Sequence, residues 1–169
     1  MSTWLRSSNI AAALLTVLRV YVGWKFLSAG WGKMFGEGPF DATGFLKGAI
    51  SKSSGERPSV QQWYASFLES FVLPNVELIN FLIPVGEVLV GIGLVFGLFT
   101  MFSSLMGAFL NFSFLFAGTI SINPNLIIIE FLILYSGTNA GRFGMDYYLK
   151  PLLDHTTNLL RKTQNASQN

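Results

Sequence analysis

Cysteine is absent from this sequence of 169 residues, and histidine occurs once, at His155. Without a thiol the chain cannot form a disulfide, ligate an Fe–S cluster or carry a persulfide. One histidine cannot provide two axial ligands to a haem or build a histidine-rich metal site. We therefore expect neither a metal centre nor a haem in this chain.

Charged residues are also scarce, at 12% of the chain against roughly 25% in an average soluble domain. Apolar residues make up 51% and aromatic residues 15%. So few charges cannot cover a water-soluble globule, whereas a surface that faces lipid tolerates this composition. The composition predicts an integral membrane protein whose main partner is the lipid bilayer. The net charge of +2 forms no basic stripe, so we expect no nucleic acid partner.

Four apolar segments are each long enough, or nearly so, to cross a hydrocarbon core of roughly 30 Å as a helix. They cover about residues 9–31, 76–98, 100–119 and 125–141. The predicted fold class is therefore all-α, a four-helix transmembrane bundle in a single domain over residues 1–155 with a polar tail at 156–169. The first segment carries Arg19 and Lys25 and exceeds the length of a signal-peptide core, so we expect it to be retained.

Residues 32–75 differ in character from the apolar segments on either side. Glycine and proline recur throughout, and four of the nine acidic residues and three of the six lysines lie here. This composition predicts one long extramembrane loop between helices 1 and 2. Within it Trp63, Phe67 and Phe71 recur at every fourth position, which is typical of a short helix lying in the membrane interface.

The distribution of cations predicts the orientation of the bundle. Four spans place both termini on one side, where the flanking segments carry a set of basic residues: Arg6, Arg142, Lys150, Arg161 and Lys162. The loop on the other side balances its lysines and arginine with acidic residues. The positive-inside rule then favours cytoplasmic termini for a multi-pass protein of the plasma membrane.

Polar residues inside the apolar segments need a partner or a function, because a charge at mid-bilayer costs about 2.5 to 3.5 kcal/mol. At a rise of 1.5 Å per residue from the cytoplasmic helix ends, Arg19, Glu87 and Asn111 all lie roughly 14 to 16 Å deep. They are predicted to share one layer near the midplane and to face the bundle interior. Lys25 and Glu130 both lie roughly 8 to 11 Å from the outer edge and form a second candidate layer.

Two interpretations of these layers stay open. In one, Arg19 and Glu87 form an ion pair that sets helix register, Asn111 bonds between helices and Glu130 reaches water. In the other, the layers form a polar pocket in which a cation holds an anion or a quinone carbonyl, and a glutamate exchanges the proton of quinone reduction. Trp24 is more typical of a lipid-facing anchor than of a residue that stacks on a cofactor.

Four stretches of the chain resemble the DoxD branch of the DoxX-like family. They are RVYVGWKFLSAGWGK at 19–33, FDATGFLKG at 40–48, PVGEVLVG at 84–91 and NAGRFGMDYY at 139–148. Their order and spacing span roughly residues 10–150. The resemblance implies a four-helix membrane subunit of thiosulfate:quinone oxidoreductase, which couples two thiosulfates to tetrathionate and passes the electrons to a membrane quinone.

The resemblance also implies partners and site residues. The family's DoxD subunit works with a DoxA subunit, and no DoxA-like segment follows here, so a DoxA-like partner would be either a separate subunit or absent. Glu87 and Arg19 are the predicted catalytic residues, with quinone as substrate and no metal. The predicted substrate- or quinone-binding residues are Asn111, Lys25, Glu130, Lys33, Trp24, Arg142 and Asp146. Lys33, with Lys47 or Arg57, would attract the sulfur anion from the loop side.

Two other classes of protein remain compatible with the sequence. A non-catalytic scaffold or assembly factor would dock a soluble redox enzyme through residues 32–75. A small carrier would use Arg19 and Glu87 as a relay, and it would need to form a homo-oligomer because four short-connected helices leave little room for alternating access. Bound quinone, a stoichiometric soluble partner and substrate flux in liposomes would distinguish the three classes.

Overall fold

The computed structural model describes residues 2–149, and this part of the chain contains helices and turns but no strand. The helices are α1 (Ser2–Ser7), α2 (Asn9–Phe35), α3 (Thr43–Ser51), α4 (Gln62–Phe67), α5 (Val76–Phe96), α6 (Thr100–Phe116) and α7 (Asn123–Ser136). The predicted all-α class is confirmed. The predicted tail at 156–169 and His155 lie outside the described residues.

Two helical segments are long and apolar enough to cross a membrane. They are Asn9–Phe35, which has 27 residues, and the continuous helix Gln62–Phe96, which has 35. Thr100–Phe116 is a shorter apolar helix of 17 residues, and α7 has 14. A helix thus occupies each of the four predicted apolar segments.

The prediction that residues 32–75 form one long loop with a single short helix was wrong in its secondary structure. Helix α2 continues to Phe35, and α3 packs where an irregular chain was expected. The aromatic stripe of Trp63, Phe67 and Phe71 does not belong to a separate helix, since α4 runs into α5 through a π turn and a 3₁₀ turn. Pro74 is accommodated in the first positions of that 3₁₀ turn, where a missing N–H breaks no helical hydrogen bond. The proline and glycine content of this segment is typical of a loop and led to the wrong prediction, although the backbone is largely helical.

Glycines in the left-handed region end helices α5 and α7. Gly97 has φ of 67° and follows the last residue of α5, Phe96, which lies two residues before the predicted end at 98. Gly137 has φ of 62°, and residues 137–141 form a 3₁₀ turn in place of the predicted last turn of α-helix. Positive φ favours glycine because a side chain there is strained.

Helix α3 is tied to α5 through its first residues. The Asp41 carboxylate accepts hydrogen bonds from the hydroxyl and the backbone N–H of Thr43, which hold the pKa of Asp41 below its usual range. Asn80 on α5 accepts from the N–H of Ala42 at 2.8 Å and donates to Asp41. These bonds hold α3 against the N-terminal half of α5.

Backbone contact between α2 and α5 is the tightest packing in the bundle. A Cβ on Gly91 would lie 2.6 Å from the backbone nitrogen of Leu27, and one on Gly23 or Gly30 would lie 2.8 Å from backbone atoms of α5. Small residues that let helix backbones approach are typical of interfaces between membrane helices. Gly91 therefore allows the backbones of α2 and α5 to approach closely.

Two larger apolar clusters and a small third one, formed by Leu15, Ile133 and Ala140, fill the interior, and large apolar side chains also cover much of the exterior. One cluster lies under α3 and α4 and includes Leu46, Ala49, Tyr64, Leu68 and Val72. The other joins α2, α5 and α7 through Val22, Phe26, Val90, Leu94 and Leu126. The outward-facing apolar residues include Trp24, Trp31, Trp63, Phe71, Phe81 and Phe109. An apolar exterior over an equally apolar interior is the arrangement expected of helices surrounded by lipid.

The glycine contact predicts a position-specific response to added methyl groups. Gly91→Ala should lower the free energy of unfolding by about 1 to 2 kcal/mol, because overpacking outweighs the higher helix propensity of alanine. Gly32→Ala is the matched control, since nothing lies within 4 Å of its Cβ position. It should leave stability unchanged or raise it. Thermal unfolding of the purified protein in detergent measures both, and equal effects of the two substitutions would contradict the assigned contact.

Candidate functional site

A cavity of about 550 Å³ lies among α2, α3, α6, α7 and the continuous α4–α5 helix. Its wall is mainly apolar and aromatic, with Phe26, Phe40, Phe45, Phe67, Phe109 and Phe114 among the lining residues. The polar residues that reach it include Lys33, Glu87, Asn111 and Tyr64. A mostly apolar concave site with a few convergent polar groups is the usual form of a small-molecule site.

An ion pair between Lys33 and Glu87 forms the charged part of the cavity. The Lys33 ammonium nitrogen lies 2.6 Å from both carboxylate oxygens of Glu87. Glu87 is buried, while the Lys33 side chain is 26% exposed. The rings of Phe40 and Phe114 each lie 5.7 Å from the ammonium, within the range of cation–π attraction. The lysine is thereby held in place, with its charge partly open to the cavity.

The local sequence explains how these two side chains meet. Lys33 lies in the last turn of α2, beyond the predicted end of this helix at residue 31. Glu87 lies on α5, where Gly30 packs against the backbone next to it. Because Lys33 follows Gly30 by about one helical turn, its long side chain extends from that contact to the carboxylate.

Asn111 and Glu130 form a second polar pair. The amide nitrogen of Asn111 donates to one carboxyl oxygen of Glu130 at 3.0 Å, and both side chains are buried. The other carboxyl oxygen lies over Gly107, where a Cβ would collide with it. It has no hydrogen-bond partner among the described residues. Asn111 lines the cavity, so this pair links the cavity to a buried carboxyl group.

Tyr64 and Lys25 complete the polar surroundings of the cavity. The Tyr64 hydroxyl donates to the carbonyl of Ser113 at 3.0 Å and so joins α4 to α6. Lys25 is exposed at the rim, and its ammonium lies 5.6 Å from the ring of Tyr21. The sequence interpretation missed Phe40, Tyr64 and Phe114. Phe40 begins the stretch 40–48, but Phe114 had no distinguishing signal among 16 phenylalanines.

Arg19 lies near the opposite end of the bundle. Its guanidinium donates to the hydroxyl of Thr100 and the carbonyl of Phe143, each at 3.4 Å, and packs against Gly97. About 14 residues of α2 separate it from Lys33, which corresponds to roughly 21 Å. Arg19 therefore does not line the cavity.

Arg142 and Asp146 brace this same end. The Asp146 carboxylate accepts from the backbone N–H groups of Phe99 and Thr100 at 2.7 and 2.9 Å, which satisfies the start of α6. Arg142 donates to the carbonyl of Ser7 at 3.2 Å. A broad depression of about 970 Å³ adjoins these residues. Because its charged side chains already bond to backbone groups, we assign them a structural role.

The predicted pairing of the intramembrane polar residues was wrong. Arg19, Glu87 and Asn111 are all buried, but Glu87 pairs with Lys33 and Asn111 pairs with Glu130. Lys25 contacts Tyr21 and forms no second layer with Glu130. The depth count assumed that helices begin flush with one another. In fact α2 begins well before the level of the α5–α6 turn, so Arg19 lies beside the end of α5.

The predicted binding residues separate into three groups. Lys33, Lys25, Glu87 and Asn111 line the cavity, with Glu130 bonded behind Asn111. Arg142 and Asp146 lie at the other end of the bundle. Trp24 is 62% exposed on the outside of α2 and is not among the residues that line the cavity. Its position agrees with the lipid-facing interpretation.

Two helices long and apolar enough to cross a membrane, together with a largely apolar exterior, are characteristic of a helical membrane protein. The chain belongs to the DoxX family, whose sequence model matches residues 14–119. That match covers α2 to α6 and so includes Lys33, Glu87 and Asn111. No curated protein and no solved structure shows a significant match to the chain.

The ion pair predicts strong coupling between its two members. Lys33→Met should lower the free energy of unfolding by about 2 to 3 kcal/mol, because it leaves the Glu87 carboxylate buried without a counter-charge. Lys33→Met/Glu87→Met should recover most of that loss, since the pair is replaced by apolar side chains of similar volume. Lys47→Met, on the exposed face of α3, is the control. Thermal unfolding in detergent tests this, and additive losses in the double variant would show that the residues are not coupled.

Proposed function

We propose that this chain is a four-span membrane subunit of a quinone-linked oxidoreductase, with the quinone bound in the cavity beside Lys33 and Glu87. The observation that carries the proposal is the combination of an aromatic, apolar wall with one charged pair inside it. A quinone has the matching chemistry, with an apolar ring and tail and carbonyl oxygens that accept hydrogen bonds.

The ion pair supplies what quinone reduction needs from a protein. A quinone that takes up two electrons and two protons becomes a quinol, and negative charge develops on its oxygens on the way. The Lys33 ammonium can donate to a carbonyl oxygen, stabilise that charge and transfer one proton to it, and Lys33 then regains a proton from the solution. The second proton of the quinol also comes from the solution, and the Glu87 carboxylate holds the ammonium in place. We accordingly assign the main chemical roles to Lys33 and Glu87, and a structural role to Arg19, which lies away from the cavity.

Thiosulfate is the electron donor that the DoxD resemblance favours. Two thiosulfates joined as tetrathionate release two electrons, which balance one quinone reduced to quinol. The sequence has no cysteine to carry sulfur, so the electrons would pass to the ring directly or through a separate DoxA-like subunit. Lys47 and Arg57 are exposed near the α3 end, where they would attract a sulfur anion.

The four-span arrangement is supported by the way the helices connect. At the helical rise α6 extends about 25 Å, close to the roughly 30 Å of the hydrocarbon core, and α7 extends about 21 Å before the 3₁₀ turn at 137–141 continues the segment. The N-terminal helix and the turn after α7 lie together, because Asn139 donates to the carbonyls of Leu5 and Ser8. Both ends of the described chain are therefore on one side, which the basic residues favour as cytoplasmic.

Reporter fusions test this topology. A reporter joined at the N-terminus and one joined at the C-terminus should both indicate the cytoplasm, whereas one inserted at Gly55, in the turn after α3, should indicate the outside. Opposite locations for the two termini would rule out an even number of spans. Three matching cytoplasmic signals would mean that α2 and α5 do not span separately.

Photolabelling tests the quinone site. A short-chain benzoquinone bearing a photoreactive azide should label peptides of α5 and α6, and excess unlabelled quinone should suppress the labelling. Lys33→Met should weaken labelling about tenfold, which is the loss expected for one charge-assisted hydrogen bond. The stable double variant Lys33→Met/Glu87→Met should show the same loss, so that unfolding cannot account for it.

Two controls make the labelling result specific. Lys47→Met removes an exposed lysine and should label like the wild type. Glu77→Gln is the control for Glu87→Gln, because it makes the same change at an exposed position on α5. Thiosulfate-dependent quinone reduction should fall in Glu87→Gln and persist in Glu77→Gln. Labelling that is spread over the lipid-facing surface and is not suppressed by unlabelled quinone would reject the quinone site. If the cavity is not labelled and a soluble protein co-purifies in stoichiometric amount, the scaffold alternative would be favoured.

A further inference from the structure

The buried carboxyl group of Glu130 has no part in the ion pair of the proposed site. It is fully buried on α7, and within residues 2–149 its side chain has one hydrogen-bond partner, the amide of Asn111. Its second oxygen occupies the space left by the missing side chain of Gly107 and has no partner there. A buried oxygen without a partner destabilises the fold, because nothing replaces the hydrogen bonds it made to water. Such a position is unfavourable for a residue that serves packing alone.

The groups around this carboxyl are apolar except for the link to Asn111. A Cβ on Gly107 would also meet Phe26 of α2 and Val90 of α5, so these two helices close the space beside the carboxyl with apolar atoms. Ser104 of α6 donates to the backbone carbonyl of Glu130 and not to its side chain. Asn111 is thus the polar connection between Glu130 and the cavity.

The amide of Asn111 can either accept a hydrogen bond from a ligand or donate one to it. Its nitrogen donates to Glu130, which leaves the amide oxygen as the group available on the cavity side, where it can accept a hydrogen bond. If Glu130 carries a proton, the carboxyl can donate instead. The amide then gains by rotating through half a turn, with its oxygen toward Glu130 and its N–H groups toward the cavity.

We propose that Glu130 is a positioning residue that acts through Asn111. Whether Glu130 carries a proton then determines whether the cavity prefers the oxidised or the reduced form of its ligand. With Glu130 ionised, the Asn111 oxygen accepts from a hydroxyl group, as in a quinol. With Glu130 protonated, the Asn111 N–H donates to a carbonyl oxygen, as in a quinone. The amide rotation makes and breaks no bond in the ligand, and the proton is exchanged with the solution.

This inference rests on the proposed function, since it assumes that the cavity binds a quinone. It adds that the preference for quinol over quinone rises with pH, because ionisation of Glu130 favours the acceptor side of the amide. Other titratable groups that face the cavity are Lys33, Glu87, Tyr64 and Lys25. A test must therefore separate the effect of Glu130 from theirs.

The test is equilibrium binding of a short-chain benzoquinone and of its quinol, without oxygen, to the purified full chain in detergent. In the wild type the ratio of quinol affinity to quinone affinity should rise about tenfold between about pH 5 and about pH 9, the size of one hydrogen bond gained or lost. Glu130→Gln keeps the size of the side chain and should make the ratio independent of pH. Glu56→Gln, in the exposed turn after α3, is the control and should behave like the wild type.

A second substitution keeps the test decisive if Glu130→Gln folds poorly. Asn111→Leu removes the amide and leaves Glu130 in place, and it should also abolish the pH dependence of the ratio. A ratio that is flat in the wild type, or that still changes in both variants, would overturn the role of Glu130 while the quinone site stands. Failure of the wild type to bind either form would instead reject the proposed function.

Discussion

Backbone contact between α2 and α5 is the constraint on which the other features of this protein depend. Lipid is as apolar as a leucine side chain, so helices in a bilayer gain little from hiding apolar surface and associate mainly through close packing. Gly23, Gly30 and Gly91 permit that packing and fix how far α2 is shifted along α5. The same shift brings Lys33 to Glu87 and leaves Arg19 beside Gly97 at the other end.

The charged groups show what this packing must accommodate. A buried ion pair is weak evidence for stability, because apolar residues of equal volume often replace it without loss. Lys33 and Glu87 nevertheless lie between aromatic rings at the edge of a cavity, where the ammonium stays partly open. The carboxyl of Glu130 is placed less favourably still, with one oxygen unpartnered among the described residues. Both features are easier to explain by binding chemistry than by the stability of the bundle.

Composition and hydropathy were enough to predict the all-α class and the positions of the main helices. They failed over residues 32–75, because glycine and proline content does not reveal that α4 continues into α5 through π and 3₁₀ turns. Most members of the candidate site were also predicted, including Glu87, Lys33 and Asn111, but their partners were not. Partners depend on the relative shift of the helices, which tertiary contacts set. Gly23 and Gly30 help to set this shift, but the sequence alone does not reveal that they contact α5.

The placement of the polar groups bears on which ligand the cavity suits. A lipid or fatty acid has one polar head, and the Lys33–Glu87 pair alone would satisfy it. The cavity offers a second polar group, the Asn111 amide, on a different helix and backed by its own carboxyl. A quinone has carbonyl oxygens on opposite edges of a flat apolar ring, so it can use both groups while the ring contacts the phenylalanines between α2 and α6. If a quinone uses the amide as proposed, removing the amide should cost quinone binding more than fatty-acid binding, because a fatty acid has no second polar group to bond to Asn111.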